Sequence, residues 1–83
     1  MKTPWYHEFK AEIERDAREL LSAKEQRAGV SPWSYEEAVA KTRLFYLERI
    51  TGYATCLSIT IAERDELLAL MGKLWGDIPP TPR

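Results

Sequence analysis

One cysteine, one histidine and thirteen carboxylates are the first side chains to weigh for acid–base, nucleophilic or metal chemistry in this chain of 83 residues. A catalytic thiol needs an activating base and an electropositive niche. Cys56 has neither in its sequence neighbourhood, and His7 falls on a different helix. Cys56 therefore reads as a small core residue, the commonest fate of a free cysteine. His7 stands beside Glu8 with no second histidine at helical spacing, so no metal site is expected and His7 belongs at the surface. Glu36 and Glu37 serve a helix start, and nothing orients a second acid toward them. No catalytic residue, no cofactor and no metal is expected, and the chain does not read as an enzyme.

Recognition is the remaining chemistry. At about 100° per residue, Glu8, Glu12, Asp16 and Glu19 fall within about 80° of one helix. Arg15 shares that sector. Such an acidic ridge suits a partner with a basic surface, although a plain solvated face has the same pattern. Trp33 is the second candidate contact. Tryptophan and tyrosine dominate interface hot spots, but Trp33 also reads as a lid folded over the corner between the first two helices. Lys41, Arg43 and Arg49 offer an alternative, a small nucleic-acid-binding regulator. They do not share one tight face, and a net charge of −1 lacks the basic stripe such proteins carry.

Three helices must position these residues. The first, over about 4–28, opens on Thr3 as N-cap with Pro4 in the first turn, and Gly29 closes it. Trp5, Phe9, Ile13, Ala17 and Leu20 make its apolar stripe. The second, over about 35–57, starts at Ser31-Pro32 or at Ser34, where Ser34 and Glu37 spell a capping box. Val39, Tyr46, Ile50, Tyr53 and Leu57 line one face, and Leu44, Phe45 and Leu47 spread apolar surface elsewhere. That marks a central helix. Gly52 sits among small residues, which suits a close helix approach or a kink. The third, over about 61–75, opens on the capping box Thr60 to Glu63. Ile61, Leu67, Leu68, Met71, Leu74 and Trp75 point inward, and Gly76 stops it. One domain over 1–78 is expected, with a proline-rich tail at 79–83. Tyr53 to Ala62 also alternates with a strand period, and a strand there would need a partner across a dimer.

The expected fold is all-α: a long antiparallel helical hairpin with a shorter third helix packed across it. A domain this small has a marginal core, and a lone cysteine offers no internal disulfide. A homodimer covering the long helical pair is the expected staple. The charged first twenty residues carry no signal peptide, and the uncharged run from Ile50 to Ala62 has thirteen residues, too few to span a bilayer. No membrane contact and a cytoplasmic setting follow as expectations.

Two segments carry a resemblance: the aromatic-rich helix Leu44-Phe45-Tyr46-Leu47, and Thr60-Ile61-Ala62-Glu63-Arg64-Asp65-Glu66-Leu67-Leu68 after a tight corner. In style the chain resembles the small helical accessory proteins encoded by tailed phages and prophages. The resemblance implies a class of role, that of binding a host protein and inhibiting or redirecting it, host defence systems included. It carries no functional residue over.

Overall fold

The computed structural model describes residues 2–27 and 33–76. They form three helices: α1 (Pro4–Gln26), α2 (Tyr35–Thr55) and α3 (Ile61–Trp75). All three pack against one another, so the fold is an all-α three-helix arrangement. No helix has the central place expected of α2, because each touches both others. Gly29, the expected stop of α1, and the tail 79–83 lie outside the described residues, as does Ser31.

The helix starts follow from their caps. Thr3 accepts from the Tyr6 N–H at 3.3 Å, and Pro4 follows it. Ser34 accepts from Glu37 N–H at 3.3 Å, which settles the start of α2 on Ser34. The box there is half made: the Glu37 carboxylate does not take up the Ser34 backbone N–H, and the Ser34 hydroxyl donates to Glu36. Thr60 and Glu63 make the full box, with Thr60 N–H donating to Glu63 at 2.8 Å and Glu63 N–H to Thr60 at 3.0 Å.

Side-chain pairings fix the directions. Trp5 and Phe9 meet Tyr53, Tyr46 meets Asp16, and Lys24 lies over Tyr35, so α1 and α2 are antiparallel. Helix α3 begins beside the start of α1, where Thr3 meets Glu63, and ends beside Tyr46 and Arg43 of α2. At 1.5 Å per residue, α3 is about 22 Å long and α1 about 34 Å. The last turns of α1 and the first turns of α2 therefore extend beyond the end of α3.

The core sits where all three helices overlap. Phe9, Ile13, Tyr46, Ile50, Ala54, Ile59, Leu67 and Met71 form one buried cluster. Ala17 and Val39 are buried as well, outside that cluster. The Trp75 indole packs on the core, but its Nε1 is buried and meets no partner among the described residues.

The chain from Tyr53 to Ile59 is helix and then corner, not strand. Helix α2 runs to Thr55. Ser58 N–H then donates to Tyr53 carbonyl at 2.8 Å and Leu57 N–H to Ala54 carbonyl at 3.1 Å. This is a Schellman closure with Leu57 in the left-handed seat, at φ 62. A leucine there is strained by about 1 kcal/mol, because its Cβ crowds the following carbonyl where glycine has none. The helical wheel had no means of showing this, and several inward assignments fail around it. Leu57 points to solvent, and Ile61, Leu74 and much of Trp5 are exposed; Leu44 and Phe45, placed off the lined face of the second helix, are exposed too. Cys56 is exposed as well, because the helix ends on it and turns its side chain away from the core. Gly52 has open space where a Cβ would stand, so no close approach explains it.

Candidate functional site: the open end of the helical pair

The acidic ridge is divided by the fold. Glu8 and Glu12 lie toward the three-helix end, beside a small cavity of about 140 Å³ also lined by Trp5, Phe9, Arg49 and Tyr53. Asp16 is engaged internally. It accepts a short hydrogen bond from the Tyr46 hydroxyl and meets Arg15 at 3.4 Å. Burial, and then this hydrogen bond, raise the Tyr46 pKa well above its ordinary value of 10.0. Glu19 is exposed, with Arg15 at 4.0 Å on the same helix.

Beyond Asp16 the two-helix end opens into grooves. One, of about 420 Å³, is lined by Asp16, Glu19, Leu20, Arg27, Trp33 and Thr42, among others. A second, of about 410 Å³, lies on the far side of Trp33 and is bounded by Arg27, Ser34, Glu37, Ala38 and Lys41. Three of the five expected contact residues, Asp16, Glu19 and Trp33, thus share one groove. Glu8 and Glu12 do not. Trp33 lies at the α1–α2 corner with the Arg27 guanidinium 5.9 Å from its ring centre. It is half-buried there and stands outside the core cluster. Lys24 covers Tyr35 at 4.7 Å on the same end. Exposed cation–π contacts of this kind contribute about 0.5–1 kcal/mol each, so this end is held lightly.

The three basic residues of α2 are dispersed. Arg43 donates to the Trp75 carbonyl at 3.3 Å, on the α3 side. The Arg49 guanidinium lies over Phe45 at 5.2 Å and Phe9 at 5.9 Å, on the α1 side. Lys41 borders the second groove. They present no common basic surface.

The most heavily bonded carboxylate belongs to Glu63, which is only 3 % exposed. Its Oε1 accepts from Thr60 N–H as the capping box requires. Its Oε2 accepts from Thr3 N–H at 2.6 Å and from the Thr3 hydroxyl at 3.1 Å. One side chain therefore caps the starts of α1 and α3 together. The Thr60 and Thr3 N–H groups hold its pKa at about 2, below the ordinary 4.5. Beside it Lys2 and Glu66 pair at 2.6 Å. The capping box was legible from sequence, whereas the bond to Thr3, sixty residues away, depends on the tertiary fold.

Among the described residues no three His, Cys, Asp or Glu side chains gather to hold a metal ion, and no helix is long and apolar enough to cross a membrane. His7 is exposed beside Tyr6. No protein-family model, no curated protein and no solved structure matches the chain.

Proposed function

We propose that this chain is a non-enzymatic protein-binding module, in the manner of a phage or prophage inhibitor that blocks or redirects a host protein in the host cytoplasm. The observation that carries the reading is the groove at the end of the helical pair, where Glu19 and Asp16 stand beside Trp33 with nothing of α3 over them. An aromatic side chain flanked by carboxylates suits a partner that brings a basic residue next to an apolar one. The exposed acids of α1 would speed encounter with such a surface, and the rigid helical pair would block it sterically.

The test is affinity capture from host lysate, with the captured protein identified and its affinity then measured against variants. Asp16 is a poor probe, since it also holds Tyr46. Glu19→Lys combined with Trp33→Ala removes the groove's charge and its aromatic wall and touches no core residue. The double variant should keep its helical circular dichroism and lose the captured protein by tenfold or more, the size of a hot-spot effect of about 1.4 kcal/mol. Undiminished affinity would refute the groove as the binding face.

A further inference from the structure

The cavity of about 140 Å³ between α1 and α2, at the three-helix end, has walls of two kinds. Trp5, Phe9 and Tyr53 give it three aromatic rings. Tyr53 stands 5.3 Å from Trp5 and 5.0 Å from Phe9, at 75° and 81°, so the rings form a corner and not a flat stack. Glu8 and Glu12 add two carboxylates, one turn apart on α1. Neither has a hydrogen bond or an ion pair among the described residues. Like charges at that spacing oppose the helix, so the pair contributes nothing evident to the fold. Arg49 is the cation of the lining. Its guanidinium lies nearest Phe45, outside the cavity, at 5.2 Å, and 5.9 and 6.0 Å from Phe9 and Tyr53. It pairs with neither carboxylate, and its place shows that these rings attract a cation. Trp5 is 45 % exposed and has no cation over it among the described residues, although indole is the ring that attracts one most strongly.

We propose that this cavity receives the ammonium end of a lysine side chain from another protein. Charge selects a cation. Two carboxylates against one guanidinium leave the lining net negative, which repels an anion. An apolar side chain would cover both carboxylates and give them no partner. An ammonium brings three N–H donors, enough for Glu8 and Glu12 together. Its charge is also drawn to the bare face of Trp5, and its methylenes pack on the rings. Size selects lysine over arginine. The cavity has about a third of the volume of the grooves at the other end, about 140 Å³ against about 420 and 410 Å³. That suits the compact ammonium better than the broad planar guanidinium. The site shares no residue with the Trp33 groove, so it stands or falls apart from the proposed function.

Nuclear magnetic resonance on the full chain, titrated with Nα-acetyl-lysine amide at fixed ionic strength, tests this. The Trp5 indole N–H resonance should shift and saturate at millimolar ligand, while that of Trp75 stays in place. Nα-acetyl-norleucine amide, which keeps the methylenes and lacks the amine, should bind at least about tenfold more weakly. Glu8→Gln combined with Glu12→Gln should keep its helical circular dichroism, since neither carboxylate bonds within the fold, and should lose lysine amide by a similar factor. A Trp5 resonance that does not move or does not saturate overturns the proposal. So does an equal response to norleucine amide, or undiminished affinity in the double variant. Tighter binding of Nα-acetyl-arginine amide contradicts the assignment to lysine.

Discussion

The two ends of the α1–α2 pair are built differently. At one end α3 closes over the pair, and polar groups are committed to the fold: Glu63 joins two helix starts, and Asp16, at the boundary, receives the Tyr46 hydroxyl. At the other end, among the described residues, α1 and α2 meet without α3. Ala17 and Val39 are the buried side chains there, and Lys24 on Tyr35 and Arg27 on Trp33 do much of the joining. A third helix allows a polar side chain to be fully bonded away from water. Two helices leave their aromatic and charged groups in grooves that solvent, or a partner, can enter. Under the proposed function, the closed end is the scaffold and the open end meets the partner.

The largest expected effect separates the ends by core truncation. Ile50→Ala, in the fully enclosed cluster, should lower unfolding stability by about 3 kcal/mol. Val39→Ala, buried outside that cluster, should cost about 1.5 kcal/mol, the value of two lost methylenes. Urea unfolding of both variants measures the difference, and equal losses would erase the distinction.

Acid should act on the closed end through Glu63. Its carboxyl is held near 2 in the fold against 4.5 ordinarily, so between those values the unfolded chain binds the proton more readily. Its contribution is fully present above about pH 4.5 and drains away as pH falls toward 2. Urea midpoints measured across that window should drop for the wild type. They should drop less steeply for Glu63→Gln, which starts from a lower stability at neutral pH. A variant that tracks the wild type at every pH would show that the double cap adds nothing.

The smallest effect concerns the corner. Exposed Cys56 should react completely with a thiol reagent in the native state. Cys56→Ser should change stability by no more than about 0.5 kcal/mol. A thiol that reacts only on unfolding would restore the buried reading.

Much of this fold was legible from residues. Thr3, Ser34 and Thr60 mark helix starts because a side-chain oxygen that reaches a free N–H is a local fact. Gly76 marks a stop for another local reason, a φ of 86 at which other residues are strained. Phe9, Ile13, Tyr46, Ile50, Leu67 and Met71 were legible as core because their spacing follows the helical period. The failures lie where a helix ends or a neighbour ends. Leu57 and Cys56 continue the α2 pattern in sequence but sit past its last regular turn. Leu74 has an inward phase but stands at the end of the short helix, where less chain surrounds it. At the candidate site, a wheel placed Glu8, Glu12, Asp16 and Glu19 together and had no access to where α3 stops. It therefore could not show that Tyr46 occupies Asp16 or that Trp33 comes to lie beside Glu19.

Amide hydrogen exchange, followed by mass spectrometry on the native chain, tests the difference between the ends most directly. Residues 17–26 and 35–42 should exchange through local opening well below the global unfolding free energy, while residues 9–16, 46–54 and 63–71 exchange only with global unfolding. Uniform protection along all three helices would contradict it.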